Sequence, residues 1–272
     1  FMQKLINFVL FSISLNKGPL LIALKLGPLI AFVLRLLFFR DEVSQFKGQS
    51  VFLTGAAPTA KKPIKKYDKY VGLSHASKLL VDTFNVQCDL NVISAGITPG
   101  RIHAKIVNQL LVQGVKSSRE NIPYRNFIKY KKFISMDNWT RAFIVNYVCK
   151  TNYLDNIIFG KNTSVSKGGW TVAFLIFLGV KSIHITGMNM RSGTNNRNCR
   201  YFDGSTIEEK DGYDISIFDK DLDKIKYHES PPRNHVSSDL CVLSSVSLIY
   251  ANRIQITTDE SELECVISPN LC

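Results

Sequence analysis

One block of this sequence, residues 164–189, constrains the fold more than any other. It begins with a loop of small residues and continues into an apolar helix predicted from about Trp170 to Leu178. Gly179 should end the helix, because glycine readily adopts the left-handed conformation of a helix C-terminus. Ser182–Thr186 then predicts a buried strand, after which Gly187 lets the chain turn. A helix followed by a strand in this way is typical of a parallel α/β sheet.

The rest of the chain continues this alternation of short apolar strands and helices. We therefore predict an α/β fold with a Rossmann-like, mostly parallel sheet flanked by helices. Residues 1–45 are predicted to form an apolar helical appendage, joined by a polar linker over 41–50 to an α/β domain over 46–272. The other predicted strands are Val51–Thr54, Val71–Leu73, Leu90–Ile93 and Arg253–Thr257, and the other predicted helices cover 103–116, 138–150 and 237–251.

The N-terminal segment, residues 5–39, is mostly apolar, and no small-residue cleavage site of a secretory signal follows it. Residues 18–39 are long enough to cross a bilayer, since about 20 residues suffice. Lys25 would then lie near the bilayer centre, at a cost of roughly 2.5–3.5 kcal/mol. Prolines at Pro19 and Pro28 each favour a new helix start. Two short helices lying in the membrane interface are therefore predicted, with a pair of buried core helices as the alternative.

The positive charge of the chain is concentrated in the same region. Residues 1–70 carry 11 Lys or Arg and 3 Asp or Glu, which is +8 of the net charge of +12. Lys17, Lys25 and Arg35 fall within an arc of about 80° on a helical wheel, which suits cations that reach toward lipid headgroups. We therefore expect a membrane partner and a membrane-associated location at the cytoplasmic face.

Nucleic acid also selects for Lys and Arg, but the chain lacks an interleaved basic and aromatic platform and zinc-finger spacing, so no nucleic-acid partner is predicted.

The six cysteines form no CxxC pair, which argues against a zinc site. Their scatter is unlike a disulfide framework and favours a reducing compartment.

Ligands of open parallel sheets bind at the carboxyl ends of the strands. Three segments, Gly55–Thr59, Ser164–Gly169 and Gly187–Asn189, are expected to converge there. Small residues let a backbone approach a ligand, and free amides at a helix start suit phosphate. The first segment is neither a dinucleotide fingerprint nor a Walker A loop, so an ordinary strand-to-helix turn stays open as the alternative. The predicted nucleotide-binding residues are Gly55, Ala56, Ala57, Pro58, Thr59, Ser166, Lys167, Gly168, Gly187 and Asn189.

Among the five histidines, His235 is the candidate general base. It lies just before the helix predicted from Ser237, so it should stand over the site, where it could take a proton from an acceptor hydroxyl. His184 lies inside an apolar strand and is predicted to be structural.

These motifs resemble the sialyltransferases, most closely the bacterial lipooligosaccharide type. In that family the first strand leads into a Gly-Asn-Gly-Pro-Ser-like loop that contacts the nucleotide, and here Gly55–Thr59 matches it with Ala56 in place of asparagine. The second motif is a Thr-Ser-Gly or Ser-Thr-Gly turn before an apolar helix, Leu-Gly and a strand. Ser166–Gly168 matches that turn, with Lys167 in place of a hydroxyl residue, and Asn189 stands where Asp is common.

The resemblance implies an activity and its residues. A sialyltransferase moves sialic acid or a related nonulosonic acid from a CMP-activated donor to a sugar hydroxyl of a glycolipid or surface glycan, as in lipopolysaccharide biosynthesis. It implies His235 as the base, with Tyr201 and Tyr213 in an aromatic-containing loop over the nucleotide. No cofactor other than the donor and no metal are expected. Asp219 and Asp221 spell a DxD pair, but they lie in a charge-rich stretch.

Three other classes stay open. The chain could be a membrane-associated binding or scaffold protein with a degenerate transferase domain, as Ala56 and Lys167 would suggest, or a transferase that uses another nucleotide sugar. A nicotinamide-dependent Rossmann enzyme is disfavoured, because no second or third glycine follows Gly55 in the loop.

Overall fold

The computed structural model shows one parallel sheet with helices on its faces. In the described part of the chain, seven strands are ordered β5-β4-β3-β2-β1-β6-β7, and every neighbouring pair is parallel. The predicted α/β class is confirmed. The structure describes residues 17–57, 59–73, 76–94, 110–113, 133–136, 138–150, 165–188 and 236–268.

The elements are numbered in chain order. The strands are β1 (Ser50–Thr54), β2 (Lys69–Leu73), β3 (Leu90–Ser94), β4 (Leu110–Gln113), β5 (Phe133–Met136), β6 (Ser182–Thr186) and β7 (Gln255–Thr258). The helices are α1 (Lys17–Leu37), α2 (Arg40–Phe46), α3 (Ala76–Lys78, continued by a π-helical turn over Leu79–Thr83), α4 (Asn138–Cys149), α5 (Lys167–Leu178), α6 (Val236–Tyr250) and α7 (Ser261–Ile267).

The strand order reverses at β1. The chain moves outward from β1 through β2, β3 and β4 to β5, and it then returns to place β6 and β7 on the other side of β1. Connections therefore leave the carboxyl ends of β1 and β6 in opposite directions, which opens a crevice between them. The register places Thr54 of β1 beside Thr186 of β6, so both strands end at the same level.

The core lies mainly between the sheet and α5. Every residue of α5 from Gly168 to Leu178 is buried, because the helix is enclosed by the sheet, α4, α6 and α2. A helix that is apolar all round needs such an environment. Trp170 and Phe174 stack with ring centroids 5.0 Å apart. On the other sheet face, Phe52 packs with Tyr67, Leu80 and neighbours in a smaller cluster.

The helix predicted over 103–116 is wrong for the described residues of that range, because Leu110–Gln113 is a strand. A short apolar run such as Leu110-Leu111-Val112 fits either structure, and the deciding factor is its partner. Leu111 is paired with Val92 of β3 on one side and Ile134 of β5 on the other. β5 was not predicted at all.

From Lys17 to Leu37, the described residues of the N-terminal segment form one helix, not the two short helices predicted. α1 continues through Pro28, although an interior proline removes a hydrogen bond and costs about 3 kcal/mol. Tertiary burial offsets this cost. A Cβ on Gly27 would lie 3.4 Å from the Tyr147 ring, and Ala31 is fully buried. Among the described residues, no helix combines the length and apolar character needed to cross a membrane.

Two further expectations for this segment are also wrong. Arg35 does not reach toward solvent: its Nε donates to the carbonyl of Phe177 at 2.7 Å, and its guanidinium lies 4.6 Å from the Phe177 ring centre. The predicted linker over 41–50 contains α2, whose Glu42 and Phe46 are completely buried. Arg40–Phe46 is therefore packed into the main core and not extended between two units.

Among the cysteines, Cys88, Cys149 and Cys241 are free thiols. Cys265, in α7, is disulfide-bonded, a cross-link that the scatter of cysteines did not predict.

Candidate active site

The loops after β1 and β6 are joined backbone to backbone. Gly55 donates its N–H to the Thr186 carbonyl at 2.8 Å, and Ala57 donates to the Gly187 carbonyl at 3.0 Å. A Cβ on Gly55 would overlap the Gly187 carbonyl oxygen. Gly187 has φ +64°, and a Cβ there would come within 2.6 Å of Ala60. Both glycines are needed for this close approach.

The start of α5 completes the arrangement. Ser166 caps the helix, and its Oγ accepts hydrogen bonds from the amides of Gly168 at 3.0 Å and Gly169 at 3.3 Å. Met188, in the segment that follows β6, packs against the other two segments. Its Cε would overlap a Cβ placed on Gly168, and its Cγ would lie 3.1 Å from a Cβ on Gly55. The predicted convergence of the three segments at the carboxyl ends of the strands is confirmed for their described residues.

Asp239, in the first turn of α6, ties that helix to the site. Its Oδ1 accepts the Ser166 N–H at 2.7 Å, and a Cβ on Gly169 would lie 2.6 Å from the same oxygen. Only 4% of the residue is exposed. Burial raises the pKa of this carboxyl to about 6, against the opposing effect of the hydrogen bonds from Ser166. Asp239 was not identified from sequence, although an acidic residue four positions after His235 was an available signal.

Glu260, which follows β7, holds the other two segments. Its Oε1 accepts the Gly187 N–H at 2.6 Å and the Thr59 hydroxyl at 2.9 Å. The residue is 9% exposed. Sequence reasoning missed Glu260 as well. The available signal was a carboxylate two residues after a strand, at the edge where ligands bind.

The amides at the start of α5 are already hydrogen-bonded. The Ser166 N–H is bound by Asp239, and those of Gly168 and Gly169 are bound by the Ser166 hydroxyl. The sequence predicted free amides for a phosphate here. In this arrangement these three donors serve the fold, so a phosphate would need other groups, such as the Lys167 ammonium, or a rearranged cap.

Two buried polar atoms on the sheet, one on β1 and one on β3, lack hydrogen-bond partners in the described residues. They are the Oγ1 of Thr54 and the Oδ1 of Asn91. The Asn91 amide nitrogen donates to Ser77 at 3.1 Å. Unpaired buried polar atoms are costly, so these two are candidates for water or ligand contacts. Neither was identified from sequence.

His184 has partners for both ring nitrogens. Nδ1 lies 2.9 Å from the Thr257 hydroxyl, and Nε2 lies 3.3 Å from the Asp259 carboxylate. The ring stacks on Phe52 with centroids 5.4 Å apart. These contacts fit the predicted structural role.

Several predicted site residues lie outside the described residues, and their positions relative to the crevice stay predictions. α6 begins at Val236, the residue that follows His235 in the chain. The hydrogen bond between Asp239 and Ser166 holds the first turn of this helix at the site. In the described ranges, no three His, Cys, Asp or Glu side chains come together as a metal site would require. The residues outside these ranges are Pro58, Asn189, Tyr201, Tyr213 and His235.

Comparison with known proteins identifies the fold. No protein-family model matches the chain, and no curated protein matches it. Solved structures do match: the monofunctional alpha-2,3-sialyltransferase Cst-I from Campylobacter jejuni is 14% identical, with a TM-score of 0.50 over 81% of this chain and 80% of that chain. The chain has a bacterial sialyltransferase-like fold.

Two further solved structures agree with this fold. The sialyltransferase CstII from Campylobacter jejuni, in complex with cytidine-5'-monophosphate, is 12% identical, with a TM-score of 0.50 over 81% of this chain and 84% of that chain. A variant of Cst-II in complex with CMP is 12% identical, with a TM-score of 0.52 over 80% of this chain and 85% of that chain. The family resemblance of the sequence motifs is thereby confirmed at the level of the fold, and activity is a separate question.

Proposed function

We propose that this protein is a glycosyltransferase that moves sialic acid, or a related nonulosonic acid, from a CMP-activated donor to a sugar hydroxyl of a glycolipid or surface glycan. The observation that carries the proposal is the joining of the Gly55, Gly168 and Gly187 segments at the crevice between β1 and β6. It occurs in a fold shared with structures that hold CMP. Ligands of open α/β sheets bind in such a crevice.

In the proposed reaction, His235 removes the proton from the acceptor hydroxyl as its oxygen bonds to the anomeric carbon of the donor sugar. The bond from that carbon to the phosphate oxygen breaks, and its electron pair leaves with CMP. Tyr201, Tyr213 and Lys167 would stabilise the charge that develops on the phosphate. Lys167, next to the α5 cap, supplies a point charge without a metal ion.

For the nucleotide, we assign the surface formed by Gly55, Ala56, Ala57 and Gly187, with the flanking Pro58, Thr59 and Asn189. The described part of this surface is mostly backbone, because the packing of Gly55 on Gly187 excludes larger side chains. Such a surface lets a planar base or ribose approach the chain closely. The Thr59 hydroxyl donates a hydrogen bond to Glu260, which holds this part of the loop in place.

The first test is thermal shift of the full chain with CMP, UDP, GDP and NAD. We expect CMP to raise the melting temperature most, because ligands that bind only the folded state stabilise it. Transfer assays with and without EDTA then test the absence of a metal requirement. Equal shifts with all four compounds, or a shift with NAD alone, would contradict the proposal.

The second test concerns the base. His235→Ala should lower transfer by about 100-fold or more, the lower range for loss of a general base, with CMP binding largely retained. His228→Ala is the matched control, since it removes another histidine of the same polar segment. Transfer at nearly the wild-type rate in His235→Ala would show that the base is a different residue.

We also propose that residues 1–45 hold the protein at a membrane, on its cytoplasmic face. Support comes from α1, which exposes Leu29, Phe32 and Leu36 by 60%, 61% and 51%. A membrane-bound acceptor would explain an apolar segment on a glycosyltransferase.

A binding protein with a degenerate transferase domain is the second candidate. The observation that favours it is the α5 cap, whose amides are occupied by Asp239 and Ser166. CMP binding without transfer or donor hydrolysis would support this candidate over the enzyme.

A further inference from the structure

The amino-terminal edge of the sheet, opposite the crevice, contains a basic cleft of about 560 Å³. It lies where β1, β6 and β7 begin, at Ser50, Ser182 and Gln255. Three cations line it, Lys65, Lys181 and Arg253, together with one carboxylate, Asp68. We refer to this site, defined by these four charged residues, as the basic cleft.

The charge of the basic cleft is positive on balance. The Asp68 Oδ2 accepts hydrogen bonds from the Ser50 hydroxyl at 2.7 Å and the Ser50 N–H at 2.8 Å. These bonds keep the carboxylate engaged with the start of β1. The three cations are exposed and outnumber this one carboxylate. The basic cleft therefore favours an anionic ligand, such as a phosphate group.

A chain of direct contacts connects the basic cleft with the C-terminal part of α1. Arg35 of α1 donates to the Phe177 carbonyl at the end of α5. The Gly179 carbonyl, just beyond that end, accepts the N–H of Gly48, a residue of the cleft, at 2.8 Å. Lys181 donates its N–H to Gln49 at 2.8 Å. The end of α1 and the cleft thus belong to the same end of the molecule.

α1 presents an apolar stripe at this end. Leu29, Phe32 and Leu36 lie at helical spacing and are more than half exposed, whereas Ala31 and Leu34 pack into the core. The inward side of α1 is therefore buried against the core, whereas the apolar side chains of its outward side are free to contact another surface. An apolar stripe at the same end of the molecule as a group of exposed cations matches the interfacial region of an anionic bilayer.

We propose that the apolar stripe of α1 and the basic cleft form one docking surface for an anionic lipid bilayer, in which the cleft binds a headgroup phosphate. The inference extends the proposed membrane association and depends on it. The stripe contributes apolar burial, and the cleft contributes electrostatic attraction, so stable binding uses two signals. The consequence is an orientation: the amino-terminal edge faces the bilayer, and the crevice between β1 and β6 faces away, toward the distal sugars of a membrane-bound glycan.

The test is cosedimentation of the full chain with vesicles of phosphatidylcholine alone or mixed with phosphatidylserine. Removing one cation should weaken binding to the anionic vesicles about fivefold, so Lys181→Ala combined with Arg253→Ala should weaken it about thirtyfold. The matched control is Lys62→Ala combined with Lys78→Ala, which removes two exposed cations outside the cleft. We expect the control to bind within about threefold of the wild-type protein, since distant exposed charges are screened.

The stripe is tested separately with Phe32→Ser, which should weaken binding to both kinds of vesicle. Equal loss in the cleft variant and its control would overturn the proposal, as would wild-type binding of the cleft variant. Equal binding of wild-type protein to both vesicle types would also overturn it. CMP thermal shift on the same samples separates this proposal from the enzymatic one, because neither the cleft nor the stripe touches the crevice.

Discussion

At the carboxyl edge of the sheet, Gly55 and Gly187 bring backbone against backbone, and two buried carboxylates hold the loops in place. At the amino-terminal edge, Lys65, Lys181 and Arg253 extend charged side chains into an open cleft. Close packing sets the shape of the carboxyl edge, and exposed side chains set the charge of the amino-terminal edge. The carboxyl edge should therefore be sensitive to volume and buried hydrogen bonds, whereas the amino-terminal edge should be sensitive to ionic strength.

The largest expected effect tests the packing of the carboxyl edge. Gly55→Ala places a Cβ against the Gly187 carbonyl, a backbone atom that cannot move away cheaply. We expect the free energy of unfolding to fall by more than about 3 kcal/mol in chemical denaturation. Gly48→Ala is the control at the opposite edge: φ is +74°, but nothing lies within 4 Å of the added Cβ. Gly48→Ala should lower the free energy of unfolding by only about 1 kcal/mol. Similar losses of stability in both variants would show that the two edges tolerate an added methyl group equally.

The next effect tests the buried carboxylate Asp239 through pH. Its pKa is raised from 3.8 to about 6 by burial, so the folded protein holds this proton more tightly than the unfolded chain does. The protonated Asp239 therefore stabilises the fold fully below about pH 4, and this stabilisation is lost as the pH rises to about 6. The free energy of unfolding should fall by at most about 3 kcal/mol over this range. Denaturation of the wild-type protein across this range measures the loss.

Asp239→Asn keeps an oxygen that can accept the Ser166 N–H, and it has no proton to lose. The variant should lack this part of the pH dependence, while Asp68→Asn, at the exposed amino-terminal edge, should retain it. A pH profile of Asp239→Asn that matches the wild-type profile would mean that another group titrates.

The smallest effect concerns stability at the amino-terminal edge. Lys181→Ala removes an exposed side chain, so the free energy of unfolding should stay within about 0.5 kcal/mol of the wild-type value. A larger change in urea denaturation would show that Lys181 supports the fold and does not act through its charge alone.

Some of the fold could be predicted because its signals are local. The apolar run from Trp170 to Leu178 and the C-terminal Gly179 predicted α5 and its end, and the structure has both. The helix begins three residues earlier than predicted, at Lys167, because the Ser166 side chain caps it. The strands before Gly55 and Gly187 were found for the same reason, as short buried runs ended by glycine. Convergence of their loops then followed from parallel topology.

Other features could not be predicted, because their causes lie far away in the chain. Residues 110–113 are a strand because β3 and β5 offer hydrogen bonds on both sides. α1 passes through Pro28 because Ala31 and its neighbours are buried against the core. Arg35 turns inward because the Phe177 carbonyl is within its reach. In each case a contact with a residue distant in the chain outweighed the conformation that the local sequence favours.

The class of sheet, the position of α5 and the glycine turns at the crevice follow from local sequence, since periodicity and backbone freedom act over a few residues. The carboxylates that hold the site were set by folding, because their partners are distant in the chain. Asp239 meets Ser166, and Glu260 meets Gly187, each across 73 residues of chain. A hydrogen bond of that separation exists only after the sheet has brought both segments to one edge, and no local pattern encodes it.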